Sequence, residues 1–166
     1  LGKLLVRRGA DKTLSAFEIV EVEAYTADDP ACHAFGGMKE RCAVMFGPPG
    51  YAYVYFIYGM YHCLNVVTEN DGIAGAVLFR ALEKVRGSAG GDMSGPGKLC
   101  RALAIDRSFN GMALFDAKQP LFLAQGRDVS DDEVEVTTRI GITKAADRLW
   151  RFHLKDNKSV SKRRKN

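Results

Sequence analysis

No apolar run in the 166 residues approaches the ~18 that a membrane-spanning helix needs, and no secretory leader is visible. The chain opens on Leu1 rather than methionine, so the missing leader by itself says little about localisation. The four cysteines, Cys32, Cys42, Cys63 and Cys100, form no C-x-x-C pair and no dense disulfide framework. Scattered in this way, they read as reduced, buried thiols of an intracellular protein. An internal repeat, a linker between two cores and a second domain are also missing.

Several chemical signatures are absent too. The glycine-rich stretch before Lys98 fails the phosphate-loop pattern twice, because Asp92 stands at the first glycine position and Leu99 follows the lysine. Cys32-His33 and His62-Cys63 are adjacent pairs. Neighbours on a strand point to opposite faces, so each pair could supply one zinc ligand at most. There is no G-x-S-x-G elbow for a serine hydrolase and no H-x-E…P-C-x-x-C deaminase signature. No metal is expected.

What remains is a chain with 46% hydrophobic and 27% charged residues, the balance of an ordinary globular protein. Its length suits a single domain that buries roughly 70% of its unfolded surface. The net charge of +4 is modest, but Lys158–Asn166 carries five basic residues and no acidic one. Such a segment is either a solvated tail or a tether to a polyanion. Residues 1–157 are accordingly expected to form the domain and 158–166 a basic tail.

Five of the six tyrosines fall within Tyr51–Asn65. Tyr51, Tyr53, Tyr55 and Ile57 alternate with Ala52, Val54, Phe56 and Tyr58, the period-2 pattern of a two-faced strand. Gly59-Met60 interrupts the run, and Tyr61–Thr68 resumes as a returning strand. Tyr58, Met60 and Tyr61 crowd the turn, where small polar residues would cost less. Ala74–Leu82 follows as a third strand, making an antiparallel meander, with Arg80 on the face of Ala76 and Leu78. Further strands are predicted over Leu1–Arg8, Phe17–Ala24, Pro120–Leu123, Val134–Ile140 and Trp150–Leu154. A short helix is predicted over Lys98–Ala104, and Cys32–Val44 reads as a loop with one helical turn. Simple alternation places Phe17, Ile19, Glu21 and Glu23 on one strand face.

Glu21 and Glu23, at i and i+2, could be a glycosidase-like pair, but carboxylates so spaced are more often structural or solvated. Their neighbourhood favours chemistry. Tyr25 and His33 follow at once, and the aromatic strand and Arg80 lie in the next sheet elements. Glu, Arg, His and several Tyr are the groups needed to activate water beside a flat, electron-poor ligand.

Six ordered segments carry a resemblance. They are Ile19-Val-Glu-Val-Glu-Ala-Tyr25, Ala31-Cys-His-Ala-Phe-Gly-Gly37, Met45-Phe-Gly-Pro-Pro-Gly50, Tyr53–Asn65, Leu78-Phe-Arg-Ala-Leu-Glu83 and Ser94-Gly-Pro-Gly-Lys-Leu99. Together they closely resemble the alkyladenine (3-methyladenine, methylpurine) DNA glycosylase family over nearly the whole chain. The family has a further helical segment ahead of Leu1-Gly2 and a longer connection between Glu83 and Ser94; neither departure touches a matched site position.

The resemblance implies an intracellular, DNA-associated repair enzyme, monomeric and without metal or cofactor, that flips damaged purines out of duplex DNA and leaves an abasic site. It places Glu23 at the general base and Arg80 at the residue that helps hold the attacking water. Tyr25, His33, Tyr55 and Asn65 match residues around the flipped base, and Tyr58 matches the intercalating wedge. Met60 and Tyr61 are expected to flank the wedge. Lys39, Arg41 and Lys98 are candidate phosphate contacts, His62 is expected to be structural and Trp150 to lie in the core. A non-catalytic binder of damaged DNA is the alternative. The expected fold is α+β: one domain on a curved, mostly antiparallel β-sheet with a protruding β-hairpin and a few surrounding helices.

Overall fold

The computed structural model describes residues 1–161. Its strands are β1 (Leu4–Arg8), β2 (Leu14–Thr26), β3 (Ala52–Ile57), β4 (Tyr61–Val67), β5 (Gly75–Arg86), β6 (Leu121–Ala124), β7 (Val134–Thr137) and β8 (Arg151–Leu154). One α-helix, α1 (Pro96–Ala102), and 3-10 segments at Glu40–Phe46, Arg107–Phe109 and Asp131–Glu133 complete the described elements. The strands form one curled antiparallel sheet in the order β3-β4-β5-β2-β1-β6, with β8 also on β2 and β7 on β8. This is the expected α+β domain, and the β3-β4-β5 meander is as read from the sequence. Among the described residues no helix is long and apolar enough to cross a membrane.

The 13-residue β2 is the spine. One edge pairs with β5 along almost its whole length. The other edge is shared, with Leu14–Glu18 taking β1 and Glu21–Glu23 taking β8. Residues directly opposite in a ladder share a face of the sheet. A row of such partners, Tyr53, Asn65, Leu78, Glu23 and Arg151, therefore crosses five strands on one face. The row beside it, Ala52, Val66, Val77 and Ala24, faces the other way.

That second face holds the main core. Leu5, Phe17, Ile19, Val54, Leu64 and Phe79 pack there against Leu99 of α1 and Leu103 just after it. Each such side chain contributes about 1.5–3 kcal/mol on burial. The first face is covered by the segment between β2 and β3, whose Cys32, Ala34, Cys42 and Met45 pack on Tyr53, Val67 and Ala76. All four cysteines are buried and unpaired.

Two of the three irregularities in the β2–β5 ladder, those between Ile19 and Val22, correct the simple alternation. Ile19 pairs with Leu82 and Glu21 with Ala81, so Val20 is an extra residue on β2. Val22 then pairs with Phe79, so Arg80 is an extra residue on β5. Bulges of this kind bend a strand and re-aim side chains. Phe17 and Ile19 consequently stay in the helix-side core, while Glu21 and Glu23 turn to the opposite face instead of sharing theirs.

Other boundaries shift for local reasons. α1 begins two residues early because Pro96 fills a first-turn position where a missing N–H costs nothing. β7 ends at Thr137, and the next residues turn in toward Glu23. The first tail residues are docked: Val160 packs beside Val20 and Leu154, and Ser161 is buried. The remaining basic residues of the tail, Lys162–Lys165, lie outside the described residues.

Candidate active site

The site grows from the row that holds Glu23. Its carboxylate is fully buried, at 0% exposure, and three groups reach it. The Tyr25 hydroxyl donates to Oε2 at 2.9 Å, the backbone N–H of Ile140 donates to Oε1 at 2.8 Å, and Arg80 Nη1 lies 3.2 Å from Oε1. Burial, with the Glu23 charge and hydrogen bond beside it, pushes the Tyr25 phenol far up. Tyr25 therefore stays protonated and serves as a donor.

Glu21 has a different environment. Ser161 Oγ at 2.7 Å, Arg151 Nε at 2.6 Å and Arg80 Nε at 3.1 Å all donate to its Oε1. The Ser161 backbone N–H donates to Oε2 at 2.7 Å. A carboxylate offers about four lone-pair sites, so Glu21 is filled. Burial works to raise its pKa, but the bonds from Ser161 and Arg151 and the charge of Arg80 outweigh it and hold the carboxyl below the ordinary glutamate value. Glu23, reached by three groups against the four at Glu21, keeps acceptor capacity.

The aromatic wall stands across the row. His33 meets the Tyr55 ring edge-on at 4.5 Å between centroids, and its Nδ1 is 2.8 Å from the Tyr53 hydroxyl. Tyr53 and Tyr55 are themselves 5.4 Å apart. Burial, then the positive charge of Arg41, lowers the His33 pKa, so the ring is neutral near pH 7. Burial first, then neighbouring Cys63, pushes the Tyr55 phenol up. Asn65 is buried, and its Nδ2 donates to the Tyr53 carbonyl at 2.9 Å. Glu23, Arg80, Tyr25, His33, Tyr55 and Asn65 thus share one face of the sheet and its cover.

A buried ion pair fixes the His33 loop. Asp29 accepts from Nη2 of Arg139 at 3.0 Å and also from its Nη1, and Asp29 caps the Ala31 N–H at 3.1 Å. The Arg139 guanidinium lies 4.6 Å from the Tyr25 ring centre and 5.3 Å from that of Trp150. Arg148 covers Trp150 at 4.5 Å. Trp150 is therefore a half-buried plate between two cations rather than the core residue expected.

The β3–β4 hairpin carries Tyr58, 75% exposed, and Met60, 65% exposed. Both Tyr58 (φ 55°) and Gly59 (φ 67°) have positive φ, and the Met60 N–H bonds to the Ile57 carbonyl. Those are the φ signs of a type I′ turn, whose twist matches a hairpin but which favours Asn-Gly over a bulky residue. Tyr61 packs its ring on the first turn of α1, where a Cβ on Gly97 would lie 3.0 Å from that ring. Glycine there lets the helix, and Lys98 with it, approach the hairpin. Lys98 is held at 2.8 Å by Asp92, an exposed pair worth little and readily exchanged. His62 rests against Phe56, with ring centres 4.9 Å apart.

Beside His33 lies an open cleft of about 410 Å³ between its loop and residues 141–144, with Lys39, Arg41 and Lys144 on its walls. Lys144, Arg139, Arg151, Ser161 and Ile140 are the site residues that sequence reasoning missed. Only Arg151 left a signal, as a charge inside the alternating strand Trp150–Leu154. Among the described residues no group of three or more His, Cys, Asp or Glu is placed to hold a metal ion.

The methylpurine-DNA glycosylase family matches this chain over residues 1–158. The chain belongs to that family. Relatives in the methylpurine-DNA glycosylase family carry the name "Putative 3-methyladenine DNA glycosylase". One from Carboxydothermus hydrogenoformans is 51% identical over 157 residues, covering 88% of this chain and 82% of that protein. One from Trichodesmium erythraeum is 45% identical, covering 98% of this chain and 89% of its own length. One from Synechococcus sp. is 46% identical, covering 97% and 90%.

Proposed function

We propose that this DNA glycosylase is a monofunctional, water-using enzyme that acts as a monomer on damaged purines in duplex DNA. The observation that carries the proposal is the unequal state of the two buried carboxylates: Glu21 is filled with donors, while Glu23 retains acceptor capacity beside Arg80. The damaged purine leaves as the C1′–N9 bond breaks, taking the bonding pair. Positive charge develops on the sugar, where the Glu23 carboxylate stabilises it. Water held between Glu23 and Arg80 adds to C1′ and gives its proton to Glu23, so the products are free base and abasic site.

A base inside the stack hides its glycosidic carbon, so the nucleotide must be extruded first. The exposed Tyr58 at a tight turn is suited to filling the gap, as other wedges do at kinked steps, with Met60 and Tyr61 at its flanks. Tyr25, Tyr55 and His33 then enclose the base, and Asn65 meets its edge. An alkylated purine is cationic, and stacking on tyrosine contributes about 0.5–2 kcal/mol per contact. Lys39, Arg41, Lys144 and Lys98 supply charge for the backbone phosphates. A sugar glycosidase fits poorly, because one guanidinium bridges both glutamates and leaves no gap for a sugar ring between them.

The test uses duplex DNA with a single hypoxanthine or ethenoadenine, incubated with wild type and with Glu23→Gln. Wild type is expected to generate abasic sites, and Glu23→Gln to bind the same duplex with release reduced at least about 100-fold. Binding without release by wild type, on these or on methylated DNA, would leave a lesion binder in place of an enzyme.

A further inference from the structure

The mechanism gives no task to Glu21, Arg151 or Ser161, although all three are buried directly behind Glu23. Their contacts form a closed ring. Ser161 Oγ donates to Glu21 Oε1 at 2.7 Å and accepts from Arg80 Nη2 at 3.4 Å, while Arg80 Nε donates to the same Glu21 oxygen at 3.1 Å. Two of the three nitrogens of the Arg80 guanidinium are thereby engaged, and Nη1 is left to face Glu23. Arg151 locks the ring from the other side. Its Nε donates to Glu21 Oε1, its Nη2 to the Ser161 carbonyl at 3.3 Å and its Nη1 to Thr137 Oγ1 at 2.9 Å.

Arg80 needs such a holder because it is the extra residue of a bulge on β5, outside the regular ladder that would otherwise fix its direction. A flexible arginine so placed can turn either edge of its fork toward Glu23. The charges are suited to the task as well. Glu21 sits between two arginines, so Arg80 faces Glu23 as a cation held in place.

We propose that Glu21 and Ser161, clamped by Arg151, are positioning residues that orient Arg80 toward Glu23 and the attacking water. Glu21 is thus neither a second base nor a general stabilising charge. Ser161, 138 residues after Glu23 in the chain, closes the ring through its hydroxyl. This proposal rests on the glycosylase reading above.

The experiment measures two quantities on the full chain. They are the single-turnover rate of ethenoadenine release and the affinity for a duplex bearing a non-cleavable tetrahydrofuran abasic analogue. Melting temperature is recorded alongside. Ser161→Ala keeps the backbone N–H bond to Glu21 but opens the ring, and is expected to slow release about tenfold with affinity and melting temperature unchanged. Ser161→Thr retains the hydroxyl and is expected to recover the rate. Arg151→Lys keeps the charge, loses the fork, and is expected to show the same split. Wild-type rates in Ser161→Ala and Arg151→Lys would overturn the proposal. So would rate losses that only follow losses of affinity or melting temperature. If wild type itself releases no base from any lesion, the glycosylase reading fails, a result distinct from either of these.

Discussion

Two positions apart and sharing one cation, Glu21 and Glu23 divide their duties according to the donors around them. The sequence presents them as equivalent, and resemblance alone singles out Glu23. What distinguishes them physically is supplied from far along the chain: an N–H at Ile140 for Glu23, and an N–H and hydroxyl at Ser161 for Glu21. Backbone donors carry no side-chain signature, so no reading of residue types could have placed them. The filled state of Glu21 has a consequence for stability. Its carboxyl is held below the ordinary value of 4.5, so its contribution is fully present above that pH and is lost as pH falls below it toward the lowered folded value. Glu21→Gln strips a buried partner from two arginines and is expected to cost about 3 kcal/mol at pH 7. In denaturant melts at decreasing pH, the gap between wild type and Glu21→Gln should narrow below about pH 4.5. A constant gap down to pH 3 would show that the Glu21 charge is not responsible.

At the scale of elements, the β3–β4 hairpin was legible because aromatic alternation survives any tertiary context. Even its crowded tip could be located. The conformation of that tip could not, since a tyrosine with positive φ runs against the preference of the turn. Left-handed backbone at a bulky residue costs about 1 kcal/mol or more and persists where the surroundings require that side chain. Tyr58→Asn is therefore expected to leave folding stability unchanged or raise it by up to about 1 kcal/mol, while lesion capture weakens at least about tenfold. Melts and duplex binding on the same preparation decide it; a destabilised variant with intact capture would make Tyr58 a packing residue. The strand faces of β2 were misread for a countable reason. Alternation assumes one rung per residue, and two bulges break that assumption between Ile19 and Val22.

Over the whole molecule, the domain class and the meander followed from period-2 patterning and turn residues. The long-range partners of β2, which are β8 and the residues leading to Ser161, did not. Nothing local says that a strand starting at Arg151 lies against one starting at Leu14. Charge distribution leads to a prediction at this scale. The cleft beside His33 gathers Lys39, Arg41 and Lys144, although net charge is only +4. Arg41→Ala should weaken DNA binding and flatten the slope of log affinity against log salt by roughly 0.9, the release of one phosphate contact. Lys12→Ala, in the turn that precedes β2 at the end away from Glu23, should leave the slope unchanged. The paired bulges carry a last consequence. Between Ile19 and Val22, β2 and β5 each hold one residue more than the ladder requires, and with Val20 and Arg80 both removed the pairings on either side would join without a break. Arg80 is therefore supernumerary as architecture. The regular ladder does not call for it, and its place between two buried glutamates is the one that the proposed chemistry uses.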